Sequence, residues 1–418
     1  MMRTRSLIAC AAAVALPVVA SAQETRLSAD VSTTLGYSNN PFSVVGNDTG
    51  SAFAELNVRP QLQILTARSV FTIDAAAQVE QYFKHYSTSD SYQAILDYRG
   101  RPTEHLTTHF DASFLSSIVG SFNNFAGSVV DPAQTIGSGR GTTPGIGSVV
   151  TTPVSATTLP VYSGTDVALF GTRSRQRTIN VGGDVTAALS ARDQLTGSLF
   201  FIDSRYSQTS AFGNLNNYNG YGSSLGYARQ LSSFTQVGLQ GSAARYIYKG
   251  AGSNSNVFSL QATLSAKLNA YWSLSGAAGL SLVDRTGQGS STAFSGNLSL
   301  CRTGVRTTAC LTARRAVLPT GILGTQNETD VGGTYRYRLS EHGTLGLTAN
   351  YTKNGTPYAI QTNGNEYVLG AISYERQLRQ RLRFISTARY REVFGSNFKR
   401  AADFGGQVGL SLRLGDIR

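Results

Sequence analysis

Apolar and polar residues alternate along most of this chain. Leu260–Leu268 carries an apolar residue at every second position, with Gln, Thr, Ser and Lys between them, and Trp272–Leu282 repeats the pattern after a brief turn. A period of two gives a strand one apolar and one polar face. Similar segments recur from residue 26 to the C-terminus. The pattern therefore predicts an all-β protein built from consecutive antiparallel strand pairs.

The strands are joined by short connections on one side and longer ones on the other. We predict about eighteen strands, within a range of roughly 16–20. The short turns are Ala191–Asp193, Ser232–Ser233, Asn269–Ala270 and Ser340–His342, and the longer loops are Ser38–Gly50, Gln208–Asn219, Gly321–Asp330 and Gly355–Asn365. Short periplasmic turns and long outer loops are typical of transmembrane β-barrels, and an even strand count places both termini in the periplasm.

The overall hydropathy alone would suit a soluble protein. Hydrophobic residues make up 41% of the chain, the mean hydropathy is −0.12, and no segment after the N-terminus has the ~18 consecutive apolar residues of a spanning helix. A β-barrel gives the same average, because half of each strand is polar. A soluble β-sandwich is the rival fold, but it explains the asymmetry of turns and loops poorly. We therefore predict a transmembrane antiparallel up-and-down β-barrel.

The N-terminus has the layout of a secretory signal. Arg3 and Arg5 precede the apolar run Leu7–Ala20, and Ala20–Ala22 forms an A-x-A cleavage site. The run is too short for a transmembrane anchor, and too little apolar sequence precedes Cys10 for a lipoprotein signal. We predict a Sec-type signal peptide over residues 1–22, a barrel over residues 23–418, and a location in the outer membrane of a Gram-negative cell.

The longest connection, Gly120–Arg175, is rich in Gly, Ser, Thr, Pro and Val. A loop of this length is usually functional or disordered. It either folds over or into the mouth of the barrel or remains an external loop. Tyrosines at the strand ends favour two interfacial belts; they are Tyr227, Tyr337 and Tyr374 before turns, and Tyr246, Tyr351 and Tyr390 on the return strands.

Alternation also assigns the charged residues to faces. A charge that faces the bilayer midplane costs roughly 2–4 kcal/mol, so charged residues on the polar face are predicted to point inward. The later strands then form a basic wall of Lys267, Arg314, Arg336, Arg338, Arg381, Arg383, Arg389, Arg391 and Arg413. The earlier strands form an acidic wall of Asp30, Glu55, Asp74, Glu80, Asp97, Asp111 and Asp184. The two walls would either create a transverse field across the lumen or neutralise each other in a filled barrel.

The formal net charge is +12 for the whole chain, and +10 without Arg3 and Arg5. Excess positive charge favours anionic partners, namely lipopolysaccharide, acidic polysaccharide or small anions. No basic run or nucleic-acid motif supports a nucleic-acid partner.

Cys301 and Cys310 both fall on the inward face of a predicted hairpin with Val305–Arg306 at its tip. That register places the two side chains directly opposite each other. Because the periplasm is oxidising, we predict a cross-strand disulfide rather than two free thiols or a zinc site.

The four histidines give little support for catalysis. His105 and His109 share an inward face with Asp111, but no nucleophile motif accompanies them, and the chain has no phosphate loop or metal-ligand cluster. We therefore predict no enzyme activity, no cofactor and no metal.

The segment Leu35–Phe42, which reads Leu-Gly-Tyr-Ser-Asn-Asn-Pro-Phe, closes the first strand. Together with the repeated Tyr-x-Arg-x-Leu at Tyr227–Leu231 and Tyr374–Leu378, shortened at Tyr337–Ser340, it resembles a family of outer-membrane β-barrel porins found beside bacterial exopolysaccharide genes. The resemblance implies a role in moving or assembling surface polysaccharide, with periplasmic export proteins as partners. Unlike many outer-membrane barrels, the chain does not end in an aromatic residue, because its last residues are Ile417 and Arg418.

These patterns lead to a functional expectation with two alternatives. We expect a polar pore that passes carbohydrate, with exopolysaccharide export or secretion as its task. A general diffusion porin for small solutes and a structural or adhesion barrel without a conducting lumen are the alternatives. Small residues on the predicted inward face favour an open lumen; they are Ser273, Ser275, Gly279, Ser281, Gly346 and Thr348.

Overall fold

The fold is known from a computed structural model of the chain. It describes residues 24–46, 48–119, 169–171, 173–207, 215–250, 253–287, 289–322, 324–355, 366–394 and 400–415. The predicted signal peptide, residues 1–22, and most of the predicted long loop, residues 120–168, lie outside the described residues.

Eighteen strands of 12 to 16 residues make up the described part of the chain. Their lengths exceed the ~9–11 residues that a tilted strand needs to cross a bilayer. In chain order they are β1 Glu24–Ser38, β2 Ser51–Leu65, β3 Ser69–Tyr82, β4 Thr88–Thr103, β5 Leu106–Ile118, β6 Arg175–Ala188, β7 Asp193–Tyr206, β8 Asn217–Gln230, β9 Thr235–Lys249, β10 Ser255–Lys267, β11 Trp272–Arg285, β12 Gly289–Thr303, β13 Thr307–Thr320, β14 Gly324–Arg338, β15 Gly343–Asn354, β16 Glu366–Gln377, β17 Leu382–Phe394 and β18 Asp403–Gly415.

Each strand pairs antiparallel with its neighbours in sequence, and the sheet closes on itself. The first strand pairs with the last, from Ser28 opposite Gly415 to Ser38 opposite Gly405. Closure satisfies the backbone groups that an open sheet would leave at its edges, which is a requirement in lipid. The predicted eighteen-stranded up-and-down β-barrel is thus confirmed.

The two ends of the barrel differ as predicted, with one correction. The first and last described residues, Glu24 and Gly415, belong to the end that carries the short turns, called here the turn end. That this end faces the periplasm stays a prediction. The predicted loop Gly321–Asp330 is wrong in extent, because β14 already begins at Gly324 and its early residues pair with β13. The opposite end, which carries the longer connections, is called the loop end.

The outward face of the barrel is a continuous apolar surface. Leu260, Leu280 and Phe294 lie directly opposite one another on β10, β11 and β12. Their side chains are 59%, 58% and 55% exposed, and similar outward leucines occur around the barrel. Apolar exposure on this scale is not tolerated in water but is expected of a surface that contacts lipid. The outward face is therefore the lipid-facing wall of a transmembrane barrel.

The inward face changes character along the barrel axis. Near the turn end it carries small polar and charged side chains, such as Ser273 and Ser275 on β11. Toward the loop end the inward side chains become buried and largely apolar, for example Val283 on β11 and Ile202 on β7. The lumen is therefore polar in its turn-end half and filled with side chains at its loop end. In the described ranges no helix is long and apolar enough to cross a membrane.

Candidate functional site: the lumen and its mouth

The acidic wall lies on six consecutive strands, and the register brings several of its carboxylates close together. Asp97 on β4 lies opposite Asp111 on β5, and Glu55 on β2 lies opposite Glu80 on β3. The structure places the predicted acidic residues on the inward face of their strands; they are Asp30, Asp74, Glu80, Asp97, Asp111 and Asp184. Carboxylates at this spacing repel one another unless cations intervene.

Two side chains bridge these carboxylates: Arg59, which the sequence analysis did not assign to this wall, and His109, which it placed on the inward face beside Asp111. The guanidinium group of Arg59 on β2 donates to both carboxylate oxygens of Asp74. Arg59 Nε lies 2.8 Å from Asp74 Oδ1, and Arg59 Nη2 lies 2.9 Å from Asp74 Oδ2. His109 lies between two aspartates, with Nε2 2.8 Å from Asp97 Oδ2 and Nδ1 3.0 Å from Asp184 Oδ1. The acidic wall is therefore partly neutralised by its own side chains. The same alternation that identified the acids also places Arg59 inward, so the signal was present in the sequence.

The basic wall likewise contains carboxylates that the prediction omitted. Arg314 Nη2 lies 2.7 Å from Asp330 Oδ2 and 2.9 Å from Glu328 Oε1 on the neighbouring strand β14. Arg383 on β17 contacts Glu375 on β16 through Nη1 at 2.7 Å. Each of these acids faces inward at a position that alternation assigns correctly. Both walls therefore contain positive and negative side chains, and they differ in which sign is in excess.

The two walls meet at the seam where the barrel closes. Asp30 on β1 lies opposite Arg413 on β18, and Arg383 Nη2 on β17 reaches Asp30 Oδ1 at 2.9 Å. This contact joins residues that are 353 positions apart in the chain. Arg383 thus links the acidic and basic walls while also holding Glu375.

The remaining basic residues lie at different depths. Arg389 and Arg391 are on β17 toward the loop end, whereas Lys267 and Arg338 end their strands at the turn end and are exposed. Arg381 lies in the turn directly before β17, which begins at Leu382, and it is exposed. Arg336 lies one inward position from Arg338 on β14.

The first loop, predicted over Ser38–Gly50 as one of the long outer loops, folds toward the lumen at the loop end. Asn40 and Phe42 are completely buried. Arg391 Nη2 donates to the backbone carbonyls of Asn40 and Pro41 at 3.2 and 2.9 Å, and to Asp403 Oδ2 at 2.8 Å. The start of this loop therefore folds into the lumen. We call residues 39–44 the inward loop.

Asp403 also binds the inward loop, through its second carboxylate oxygen. Its Oδ1 accepts hydrogen bonds from Ser38 Oγ at 2.6 Å and from the Asn40 backbone amide at 3.1 Å. The Asn40 side chain then closes the loop on itself, donating to the Val44 carbonyl at 3.0 Å and accepting from the Val44 amide at 2.9 Å. The motif that carried the family resemblance, Leu35–Phe42, thus ends in the inward loop, while its first four residues belong to β1.

Aromatic rings fill the space around the inward loop. The centroid of the Phe42 ring lies 5.3 Å from that of Tyr82 and 4.9 Å from that of Tyr86. Arg173 stacks over Phe42, with its Cζ 4.9 Å from the ring centroid. Gly36 is needed opposite Phe53, because a Cβ there would lie 2.5 Å from the Phe53 ring. These contacts immobilise the constriction by packing as well as by charge.

A second apolar cluster at the mouth contains the end of the long predicted loop. Leu169 and Phe170 are buried, and the Phe170 ring packs edge-on against Tyr367 at 4.9 Å between centroids. A Cβ on Gly171, which has a φ of 77°, would lie 2.7 Å from the Ser43 carbonyl oxygen. The described end of this loop therefore lies inside the mouth and contacts the inward loop.

The predicted tyrosine belts hold only in part. Tyr227, Tyr337 and Tyr374 point outward near the turn end. Tyr246 does not belong to a lipid-facing belt: it points into the lumen on β9 and is buried in the mouth cluster together with Tyr248. Residue type alone predicted an interfacial ring, but the alternation of β9 places this tyrosine on the inner face.

Cys301 and Cys310 lie directly opposite each other on β12 and β13 and form a disulfide. The bridge closes the hairpin near the turn end on the inward face.

No protein-family model matches the sequence, and no curated protein is significantly similar to it. Among solved structures, it is similar to OccK2 (OpdF) of Pseudomonas aeruginosa, with a TM-score of 0.45 and 10% identity over 94% of this chain and 99% of that one. It is also similar to OprD of the same organism, with a TM-score of 0.42 and 9% identity over 94% and 95% of the chains. The siderophore receptor PirA of that organism gives a TM-score of 0.40 and 12% identity over 93% and 80%. Similarity at this level carries no information on the substrate.

Proposed function

We propose that this barrel is a gated outer-membrane pore for carbohydrate, with export of an acidic exopolysaccharide as its task. The observation that carries the proposal is a polar turn-end lumen with unequal acidic and basic walls, and with the inward loop packed into its mouth at the loop end. Barrels of 16–18 strands have room for an aqueous channel, and here the constriction comes from a loop and side chains rather than from the strand number.

The lining suits a hydroxylated and negatively charged solute. Hydroxyl groups donate to carboxylates and accept from guanidinium groups, so sugar rings can form hydrogen bonds with both walls. The carboxylate of an acidic sugar forms bidentate hydrogen bonds with Arg, and the arginines of β14, β17 and β18 offer that geometry on one wall. A neutral sugar can form only the hydrogen bonds of its hydroxyl groups and not the bidentate contact with Arg.

Gating follows from how the constriction is held. The inward loop depends on Arg391 and Asp403, so a change that separates this pair releases the loop. A partner that approaches from the loop end and competes for either side chain would open the mouth. A structural or adhesion barrel is the second candidate, because the mouth is filled in the structure.

The test is single-channel recording of the refolded mature protein in planar bilayers, with the Arg391→Met variant as an opened form. We expect few openings of the wild type and steady conductance of the variant. An acidic oligouronate should block that current at lower concentration than a neutral oligosaccharide of equal length.

The outcomes separate the hypotheses. If the variant conducts and the two sugars block its current equally, or not at all, the protein is a pore without the proposed preference for acidic carbohydrate. Absence of current from both proteins, each shown to be folded, would favour the structural barrel.

A further inference from the structure

Two arginines face each other on the lipid side of the barrel, near the loop end. Arg177 on β6 lies directly opposite Arg205 on β7. Both are exposed, and the residues that flank them, Gln176, Thr178 and Tyr206, are buried on the inward face. The two guanidinium groups therefore project from the outer wall of the barrel.

This pairing is electrostatically unfavourable for the protein alone. Like charges directly opposite each other on neighbouring strands destabilise a sheet. Arg205 is partly compensated by Asp203, whose Oδ2 lies 2.9 Å from Nε. Within the part of the chain that the structure describes, no carboxylate forms an ion pair with Arg177. The pair as a whole retains net positive charge.

A third cation extends this surface. Ser204 pairs with Tyr218, and the next residue on β8, Asn217, pairs with Lys249 on β9. Lys249 therefore lies at the same end of the sheet, two strands from Arg205, or about 10 Å away. It is exposed and faces outward. We call Arg177, Arg205 and Lys249 the outer basic patch.

The patch adjoins the apolar belt. Ile179 follows Arg177 on the outward face of β6 and is 43% exposed, while Phe201 and Leu199 precede Arg205 on β7 with 41% and 69% exposure. Two residues along a strand span about 6.6 Å, so the guanidinium groups lie at the level where hydrocarbon gives way to headgroups. An anion that approaches them there belongs to a lipid.

We infer that the outer basic patch binds the phosphate groups of a phosphorylated saccharolipid in the leaflet on the loop side. Arg forms bidentate hydrogen bonds with phosphate oxygens, and two opposed guanidinium groups can share one phosphate. The ligand removes the repulsion between Arg177 and Arg205. The inference concerns the outer wall and is independent of the solute that the lumen passes.

Native mass spectrometry of the refolded mature chain in detergent tests this inference. The probes are bisphosphorylated lipid A, the same lipid after dephosphorylation, and inorganic phosphate. Each basic side chain near an anionic surface strengthens binding about fivefold, so Arg177→Gln combined with Arg205→Gln should weaken binding of bisphosphorylated lipid A about 25-fold. The charge-preserving combination of Arg177→Lys and Arg205→Lys should retain most of the affinity for bisphosphorylated lipid A.

The matched control is Arg315→Gln, which removes an exposed outward arginine on β13 on another side of the barrel. This variant should bind lipid A as the wild type does. Equal binding of the phosphorylated and dephosphorylated lipids, or an equal loss in the control, would overturn the inference. Binding of inorganic phosphate as tight as that of lipid A would assign the patch to a free anion instead and would also overturn it.

Discussion

Arg391 and Asp403 form an ion pair in which both side chains are almost completely buried, at 3% and 1% exposure, with Nη2 2.8 Å from Oδ2. They lie opposite each other on β17 and β18, and both also bind the inward loop. A buried pair of this kind adds little net stability by itself, but the loss of one partner leaves an uncompensated charge. Its effect here is to fix where the loop lies.

Replacing Arg391 with Met should release the inward loop and destabilise the barrel. Loss of one partner of a buried ion pair costs about 3–5 kcal/mol. For the variant folded into lipid vesicles, we expect a lower urea concentration at the unfolding midpoint. We also expect larger and more frequent channel openings. Lys353→Met is the control, because its pair with Glu366 is exposed and faces outward. If openings did not increase in the folded Arg391 variant, the inward loop would not be the gate.

Removing the Phe42 ring should widen the mouth. The side chain is fully buried between Tyr82 and Tyr86, so Phe42→Ala should cost about 3–5 kcal/mol and raise the conductance. The comparison is Phe258→Ala on the lipid-facing side of β10, where the ring is 51% exposed. Phe258→Ala should leave conductance unchanged. Equal conductance of the two variants would mean that Phe42 does not obstruct the path.

Reversing the charges of Arg383 and Arg389 to Glu should shift ion selectivity toward cations. Arg383 joins Asp30 and Glu375, so its reversal leaves three carboxylates close together on the lumenal face. Reversal potentials under a salt gradient measure the shift, preferably in the opened Arg391→Met background. Arg315→Glu, an outward substitution, should have no such effect. Unchanged selectivity would show that the two walls exert no effective field on permeating ions.

Removing the disulfide should have a modest effect on stability and none on selectivity. The bridge between Cys301 and Cys310 closes a short hairpin loop, for which the chain-entropy model gives about 2–3 kcal/mol. Cys301→Ser combined with Cys310→Ser should lower the free energy of unfolding by that amount under oxidising conditions. Wild type treated with a reductant should match the double variant. A loss of folding altogether would indicate that the bridge is needed for assembly.

Replacing His109 with Ala should leave two carboxylates of the acidic wall without their shared partner. Its two ring nitrogens contact Asp97 and Asp184, and without the imidazole these two carboxylates would lose the group that lies between them. We expect lower stability and stronger cation preference in the opened background. His109→Gln, which retains hydrogen-bonding capacity, should be milder. Identical behaviour of the two variants would argue that the hydrogen bonds of residue 109 do not contribute, because Gln can form them and Ala cannot.

The sequence by itself determined the strands, their faces and much of the lumenal lining. Side chains alternate across a strand because of backbone geometry. A period of two therefore predicts on which face of the sheet Leu260, Arg383 or Asp97 lies, without knowledge of the rest of the fold. The pairing of Cys301 with Cys310 was accessible for the same reason, since a tight hairpin fixes the register of the two strands that it joins.

The tertiary structure decided how the mouth is closed and how the charges are paired. Arg391 and Asp403 reach Asn40 from more than 350 positions away in sequence, a contact that exists only because β1 and β18 close the barrel. The contact of Arg383 with Asp30 has the same origin. Alternation gives the face of a residue but neither its depth nor its partner, which is why the contacts of the inward loop could not be predicted. Tyr246 was misplaced for a different reason, because its residue type was considered without the alternation of β9. Those features depend on packing and ion pairs that form only when distant strands are brought together.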